Sequence, residues 1–332
     1  MPGIIISEAS EQNNPLFGQW QAPIAGYLRK RAEAFEQMSI ARKIFKIRKS
    51  THASESYGAQ TGFDNFLPSV ENGDYPTTDS QTAGMKTIQN ITWKNEFSIS
   101  WEMVQDANLI KFQDKPKAFI AAYYRTQEEF FAKLLAEAWM GSKSFKIGNV
   151  EFDLTTMDGL PAFSKNHKTV CSNEAIPNAF SDAFSAQALA RAATTLQITK
   201  GDKGETLAVW PDTIIIPDDA DLKEEVLAVV GSEKKPGTAN NDLNPQYGNW
   251  NVLIWPYLNR FLKSGVKPWM VCDGQFCDEN HSLIWQERHP LEVTSHIEGN
   301  DANTWKGKAR FGGGFAESRG MLVGGISGGA TL

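Results

Sequence analysis

Cysteine is scarce in this chain: 332 residues contain only Cys171, Cys272 and Cys277. An odd number excludes a closed disulfide framework and fits a reducing compartment. Cys272 and Cys277 have no second pair to complete a zinc site, so free thiols are expected. Long apolar runs are missing as well. No stretch approaches the roughly 20 residues of a membrane-spanning helix, so no membrane partner is expected. Met1-Pro2-Gly3-Ile4-Ile5-Ile6 is too short and too uncharged for a secretory signal. Basic charge is not in excess: 33 Lys and Arg stand against 39 Asp and Glu, a net charge of −6. A dedicated nucleic-acid reader needs a basic face to displace counterions from phosphate, which counts against that class. Such a chain can still line a container for nucleic acid.

Phosphate-binding loop signatures are absent too. There is no Gly-x-x-x-x-Gly-Lys-Ser/Thr loop and no Gly-x-Gly-x-x-Gly opening a helix. The glycines at Gly312, Gly313, Gly314, Gly324, Gly325, Gly328 and Gly329 read as turns and a loose C-terminus. His281, His289 and His296 lie near Asp273, Asp278 and Glu279. Their spacing does not force convergence, and Pro290 breaks any helix through them, so they read as surface histidines. His167 reads as a hydrogen-bonded structural histidine. No catalytic, cofactor-binding or metal-ligating residue is assigned, and no cofactor is expected.

What the chain does have is pattern. From Ile91 to Met103 the odd positions are Ile91, Trp93, Asn95, Phe97, Ile99, Trp101 and Met103, and the even ones are polar. Period-two alternation marks a strand with one buried face. Upstream, Lys43-Ile44-Phe45-Lys46-Ile47-Arg48 is a second strand candidate. Between them, from about Ser50 to Thr87, runs a polar stretch rich in Ser, Thr, Gly, Asn and Asp. A loop of that length rarely lacks a role. It predicts a long hairpin that projects from the body and is covered by a neighbouring subunit.

Helical spacing follows. Pro23 to Ala41 carries Ile24, Tyr27, Leu28, Ala34, Phe35 and Met38 on one face, beside basic residues from Arg29 to Lys49. That cluster reads as a solvated helix face or as a patch turned toward a scaffold or nucleic acid. A stronger helix is predicted over 114–141, with Asp114 as N-cap, Pro116 in the first turn and Gly141 as the stop. Phe119, Ile120, Tyr123, Tyr124, Phe130, Phe131, Leu134, Leu135, Ala138 and Trp139 make its apolar face. It would run ~39 Å, a structural beam.

Strands and loops are expected from 145 to 180 and a short helix from Ala186 to Leu196. An α/β unit follows: Trp210 to Pro217 as a buried strand, Asp218 as cap, a helix over 219–230 and Gly231 as its stop. Further strands are expected at Asn251–Leu258, Trp269–Cys272, Leu291–Ile297, Trp305–Phe311 and Met321–Ile326. No internal repeat of fixed period is present.

Certain phrases carry a likeness. Thr213-Ile214-Ile215-Ile216-Pro217 precedes an acidic-capped helix ending Val229-Val230-Gly231-Ser232. Asn244-Pro245-Gln246-Tyr247-Gly248 precedes Val252-Leu253-Ile254-Trp255-Pro256-Tyr257-Leu258. Gly159 to His167 and Trp305 to Gly312 add to it. In these phrases and in the order of elements, the chain resembles the major capsid proteins of tailed bacteriophages, the Hong Kong 97 fold. In particular it resembles the group related to the major head subunit of phage Mu.

The resemblance implies an α+β fold in five parts. These are an N-terminal arm with a short helix (1–42), an extended E-loop hairpin (43–105) and a peripheral domain with the spine helix (106–199). An axial domain (200–275) and returning peripheral strands with a C-terminal tail (276–332) complete it. It implies a non-enzymatic major capsid protein that assembles through pentamers and hexamers into an icosahedral shell around double-stranded DNA. The virion is the expected location, after assembly in the host cytoplasm. Implied partners are copies of itself, a separate scaffolding protein, a portal, a decoration protein and, non-specifically, the packaged DNA. The scaffold is expected to be separate because only about forty residues precede the hairpin. Trp93, Phe97, Ile99, Trp101, Phe63, Phe66 and Tyr75 are the expected inter-subunit assembly residues. The first four would bury their faces on the paired strand or the neighbour's spine. Isopeptide crosslinking is not expected, since no Lys–Asn pair stands out. The alternatives are an encapsulin-like nanocompartment, another phage structural protein, or a metal-dependent hydrolase built on His281, His289 and the nearby acids.

Overall fold

A computed structural model describes residues 4–7, 26, 30–71, 73–100, 102–103, 109–234, 242–299 and 302–332, with 4–7 and 109–113 as backbone. The strands in chain order are β1 Ile4–Ser7, β2 Lys46–Lys49, β3 Ser54–Gln60, β4 Thr82–Gln89, β5 Ile91–Ile99, β6 Ser144–Ile147 and β7 Val150–Asp153. They continue as β8 Thr213–Pro217, β9 Asn251–Trp255, β10 Trp269–Cys272, β11 Ile284–Ile297, β12 Asn303–Gly314 and β13 Met321–Gly324. The chain divides into two compact units. One comprises Met1–Glu55, Ile88–Phe131 and Trp285–Gly313; the other comprises Ser56–Thr87, Ala132–Ile284 and Gly314–Leu332.

The first unit is built on a five-stranded sheet in the order β1-β11-β12-β5, with β2 also on β11. Its longest ladder is antiparallel and runs from Asn303 opposite Ile99 to Phe311 opposite Ile91. The alternation in β5 is realised here. Trp93 stacks on Phe311 with ring centroids 5.0 Å apart and meets Phe130 edge-on at 5.5 Å. Phe97 packs on Phe119 and Trp305. The spine helix, Leu109–Trp139, supplies Phe119, Phe130 and Phe131. Phe131 is sandwiched between Phe45 and Trp285, at centroid separations of 4.8 and 4.2 Å. All three are fully buried, and each stabilises the unit by roughly 1.5–3 kcal/mol. A helix over 30–38 leads into the turn Ala41–Ile44. Tyr124 donates to Glu36 (3.2 Å), and Ser39 donates to Glu128, which also accepts from the Ala41 N–H (3.3 Å). Arg42 lies 5.1 Å over the Trp285 ring, so this basic residue serves the unit's interior.

The second unit centres on a four-stranded sheet, β13-β10-β8-β9. β8 and β9 are parallel; β10 is antiparallel to both its neighbours. Near-continuous apolar runs such as Ile214-Ile215-Ile216 suit strands covered on both faces. Helices Ala186–Gln197, capped by Ser185, and Ala220–Gly231, capped by Asp219, pack on it. Leu189, Ala192, Val226, Trp269 and Leu322 share this core. β6 and β7 form a tight hairpin, with Gly148 in the left-handed region at its turn (φ +57°).

Several expectations change. The strand around Lys46 does not pair with β5; β2 joins β11, and the hairpin is β3 with β4. Trp93, Phe97 and Ile99 therefore belong to the sheet rather than to the projecting arm. The spine helix begins at Leu109, so Asp114 is not its cap and Pro116 lies inside it. Proline there removes one i→i−4 hydrogen bond and crowds the carbonyl four residues back, a local cost that the rest of this long helix offsets. Asp219 rather than Asp218 caps the next helix; Asp218 pairs with Lys223 at 2.6 Å. Gly312–Gly314 are buried strand residues rather than a turn. A side chain at Gly312 would collide with the Gln89 carbonyl, and this close approach is why glycine stands there. The C-terminus is not loose: the Ala330 and Leu332 N–H groups donate to the Ala179 carbonyl and to Asp182, both at 2.8 Å. Ile4–Ser7 pairs parallel with β11 instead of trailing as arm; most other residues before 30 lie outside the described residues. The sheet expected over 200–275 also takes β13 from the C-terminal segment, and its core takes Leu189 and Leu196 from before residue 200.

Candidate functional site

The arm spans β3, the tip and β4. Its root is closed by Asn90, which is buried. The Asn90 amide donates to Ser50 Oγ (2.7 Å) and the His52 carbonyl (3.0 Å), and its backbone N–H donates to Ala53 (2.9 Å). The ladder ends where the Thr61 N–H donates to the Gln81 carbonyl (2.8 Å) and the Gln81 N–H to Thr61 Oγ1 (2.9 Å). Past that point there is no ladder among the described residues, and large apolar side chains of the tip stand in solvent. Fractional exposure is 68% at Phe63, 104% at Phe66, 66% at Leu67, 81% at Val70 and 96% at Tyr75. From Ser50 to Met85 the chain has no Lys or Arg, yet it holds Glu55, Asp64, Glu71, Asp74 and Asp79. The arm is thus an acidic strip with apolar projections.

Near its base the arm is fastened to the rest of the second unit, to which Ser56–Thr87 belong. Lys86 is only 5% exposed, and a buried ammonium must be paired. Its Nζ donates to Asp153 Oδ2 (2.5 Å) and Thr155 Oγ1 (2.8 Å). Burial would raise the Asp153 carboxyl, but the Lys86 and Thr155 hydrogen bonds outweigh it and hold it below the usual carboxylate range. Gly84 lets the strand lie against Met157, whose Cβ would stand 2.9 Å from a side chain there. Tyr57 meets the His281 ring edge-on at 5.1 Å.

The expected assembly residues fall into two groups. Phe63, Phe66 and Tyr75 are on the exposed tip. Trp93 and Phe97 are half-buried and Ile99 fully buried, all in the β5 face that carries the spine helix's aromatics. Trp101 lies outside the described residues. Leu67, Val70, Lys86 and Asp153 were missed by sequence reasoning. The isolated Lys86, closing a long stretch without basic residues, is the signal that could have found the anchor. Elsewhere, Asp273 caps the helix Gly274–Glu279. Cys272 and Cys277 are buried free thiols and Cys171 an exposed one. Among the described residues, no three His, Cys, Asp or Glu gather as a metal site, and no helix is long and apolar enough to cross a membrane.

The family described as phage capsid protein matches residues 85–324, well over half of the chain. The chain belongs to that family. Its fold is found in solved shells. The capsid of the Cyanophage P-SCSP1u aligns at a TM-score of 0.52 and 12% identity, over 87% of this chain and 88% of that one. The capsid of Ralstonia phage GP4 aligns at 0.51 and 9%, over 85% and 86%. No curated protein sequence matches. The capsid protein therefore has the Hong Kong 97-like α+β fold and is a structural major capsid protein of a tailed phage, a component of the virion. The match is to phage capsid proteins at large and does not single out the Mu-related group.

Proposed function

We propose that this capsid protein closes into an icosahedral shell of pentamers and hexamers around double-stranded DNA, with each arm laid on the next copy. Exposed Phe66 and Tyr75 on an arm whose base is pinned by Lys86 carry this reading. Solvent-exposed aromatics on a directed element are what an inter-subunit anchor requires. Head-to-tail contacts between copies close into rings when the rotation divides the circle. The first unit corresponds to the peripheral domain and the four-stranded sheet of the second to the axial domain. Trp93, Phe97 and Ile99 act indirectly, by setting the sheet from which the arm departs. The phrases Thr213 to Pro217 and Asn244 to Leu258 support a relation to the Mu-related head subunits.

A separate scaffolding protein, a portal and a decoration protein complete the particle, which assembles in the host cytoplasm. DNA is held without sequence preference. The test is to express the chain alone and with its scaffold and to image the products by negative-stain electron microscopy. Closed shells of uniform size are expected. Dispersed monomers under both conditions would overturn the proposal, and shells filled with a co-purified enzyme instead of DNA would assign the protein to a nanocompartment.

A further inference from the structure

Beside the arm, the segment 200–206 folds into a tight loop. Lys200 bridges Thr206, the Gly201 N–H donates to the Glu205 carbonyl (2.7 Å), and Gly204 turns the chain at φ +90°. Two adjacent residues in it face opposite tasks. Asp202 is 4% exposed. It pairs with the Arg319 guanidinium and accepts the Val170 N–H at 3.2 Å, which fastens the loop to its own unit. Lys203 reaches the other way, to the arm. Its Nζ donates to Asp64 Oδ2 on the outgoing leg (3.0 Å) and to the Asp79 carbonyl on the returning leg (2.8 Å). Glu205 supports the grip: its carboxylate accepts the Lys203 N–H at 3.0 Å and stands 3.1 Å from where a side chain at Gly62 would begin.

We infer that the loop 200–206 is a clasp, with Lys203 holding both legs of the arm and thereby setting where the tip points before any neighbour is met. One ammonium joined to both legs restrains the angle at which the tip leaves the ladder, which a bond to one leg would not do. The grip is ionic and partly open to water, with Lys203 18% and Asp64 55% exposed at the side chain. Salt therefore weakens it. An arm released by salt samples many directions; a clasped one presents Phe66 and Tyr75 in one. The inference rests on the arm being the assembly element, but its geometry is testable without assembly.

The experiment uses the full chain carrying Cys171→Ser, with spin labels at Ser69→Cys on the tip and Glu224→Cys on the helix Ala220–Gly231. Pulsed electron–electron resonance reads their distance distribution. A single narrow peak is expected at low salt, lost in 1 M salt, lost in Lys203→Asp and Lys203→Met, and retained in Lys203→Arg, whose guanidinium can still donate to both legs. An unchanged peak in Lys203→Asp and Lys203→Met would overturn the clasp. A narrow peak together with failure to form shells would leave the clasp standing and remove the assembly reading instead.

Discussion

At the scale of the residue, charged groups carry much of the local order. His167 is fully buried, and its Nδ1–H donates to Asp158 Oδ2 at 2.6 Å. This is the structural histidine expected from its place after an apolar loop. Asp158 also accepts from Thr156 Oγ1 (2.6 Å) and the Leu160 N–H (3.0 Å). Burial alone would raise its pKa, but these bonds prevail and bring it down to about 2. A folded-state pKa below the unfolded value means stability that is present above about pH 4 and lost as the pH falls toward 2. The carboxylate is 36% exposed, so after allowing for screening the contribution is about 1 kcal/mol. Asp158→Asn should thus lower the unfolding free energy by about that amount at pH 7, and the gap should narrow by pH 3. Urea titrations of both proteins at the two pH values measure it; an equal gap at both would assign the effect to packing instead.

At the scale of the element, the spine helix and the sheet stabilise each other through stacked aromatics. Truncating the middle ring of the Phe45–Phe131–Trp285 stack, Phe131→Ala, should cost about 3–5 kcal/mol by leaving a cavity between two fixed rings. The exposed Arg125→Ala on the same helix should stay within about 0.5 kcal/mol of the parent. Chemical denaturation of the two variants checks both. These elements were largely legible from the sequence, since alternation through Trp93 and Phe97 and helical spacing through Phe119 and Phe131 state which faces are buried. Periodicity does not name a partner, however. β5 pairs with β12, more than two hundred residues downstream, and nothing local to Ile91–Ile99 encodes that choice. The nearer Lys46 strand was therefore mistaken for the other half of the arm. The start of the spine helix differs for a related reason: Asp114 and Pro116 have the residue types of a first turn, but the helix runs back past them to Leu109, and residue type alone is a weak guide to where a helix begins. The exposed tip was legible as polar sequence, whereas its anchors Lys86 and Lys203 draw on Asp153, Asp64 and Asp79 across folds of the chain that no spacing rule reaches.

At the scale of the whole molecule, the division of labour between buried and exposed aromatics decides how function can be tested. Replacing Trp93 would disturb the first unit's own packing against Phe130 and Phe311, so loss of shells in that variant would not distinguish misfolding from failed assembly. Phe66 and Tyr75 are almost wholly in solvent, and Phe66→Ser/Tyr75→Ser should leave the monomer's unfolding free energy within about 0.5 kcal/mol of the parent. In the proposed shell, every copy gives one arm and receives one. Losing two buried rings per contact would remove roughly 3 kcal/mol per subunit at the low end of the usual range. At 1.4 kcal/mol per tenfold, the concentration at which shells appear should rise about a hundredfold. Identical weak contacts repeated over a closed lattice make that onset steep, so the shift would show as a displaced threshold rather than a gradual decline. Light scattering against subunit concentration measures it. An unmoved threshold with a normally folded monomer would mean that the acidic strip of the arm, and not its aromatic projections, meets the neighbouring copy.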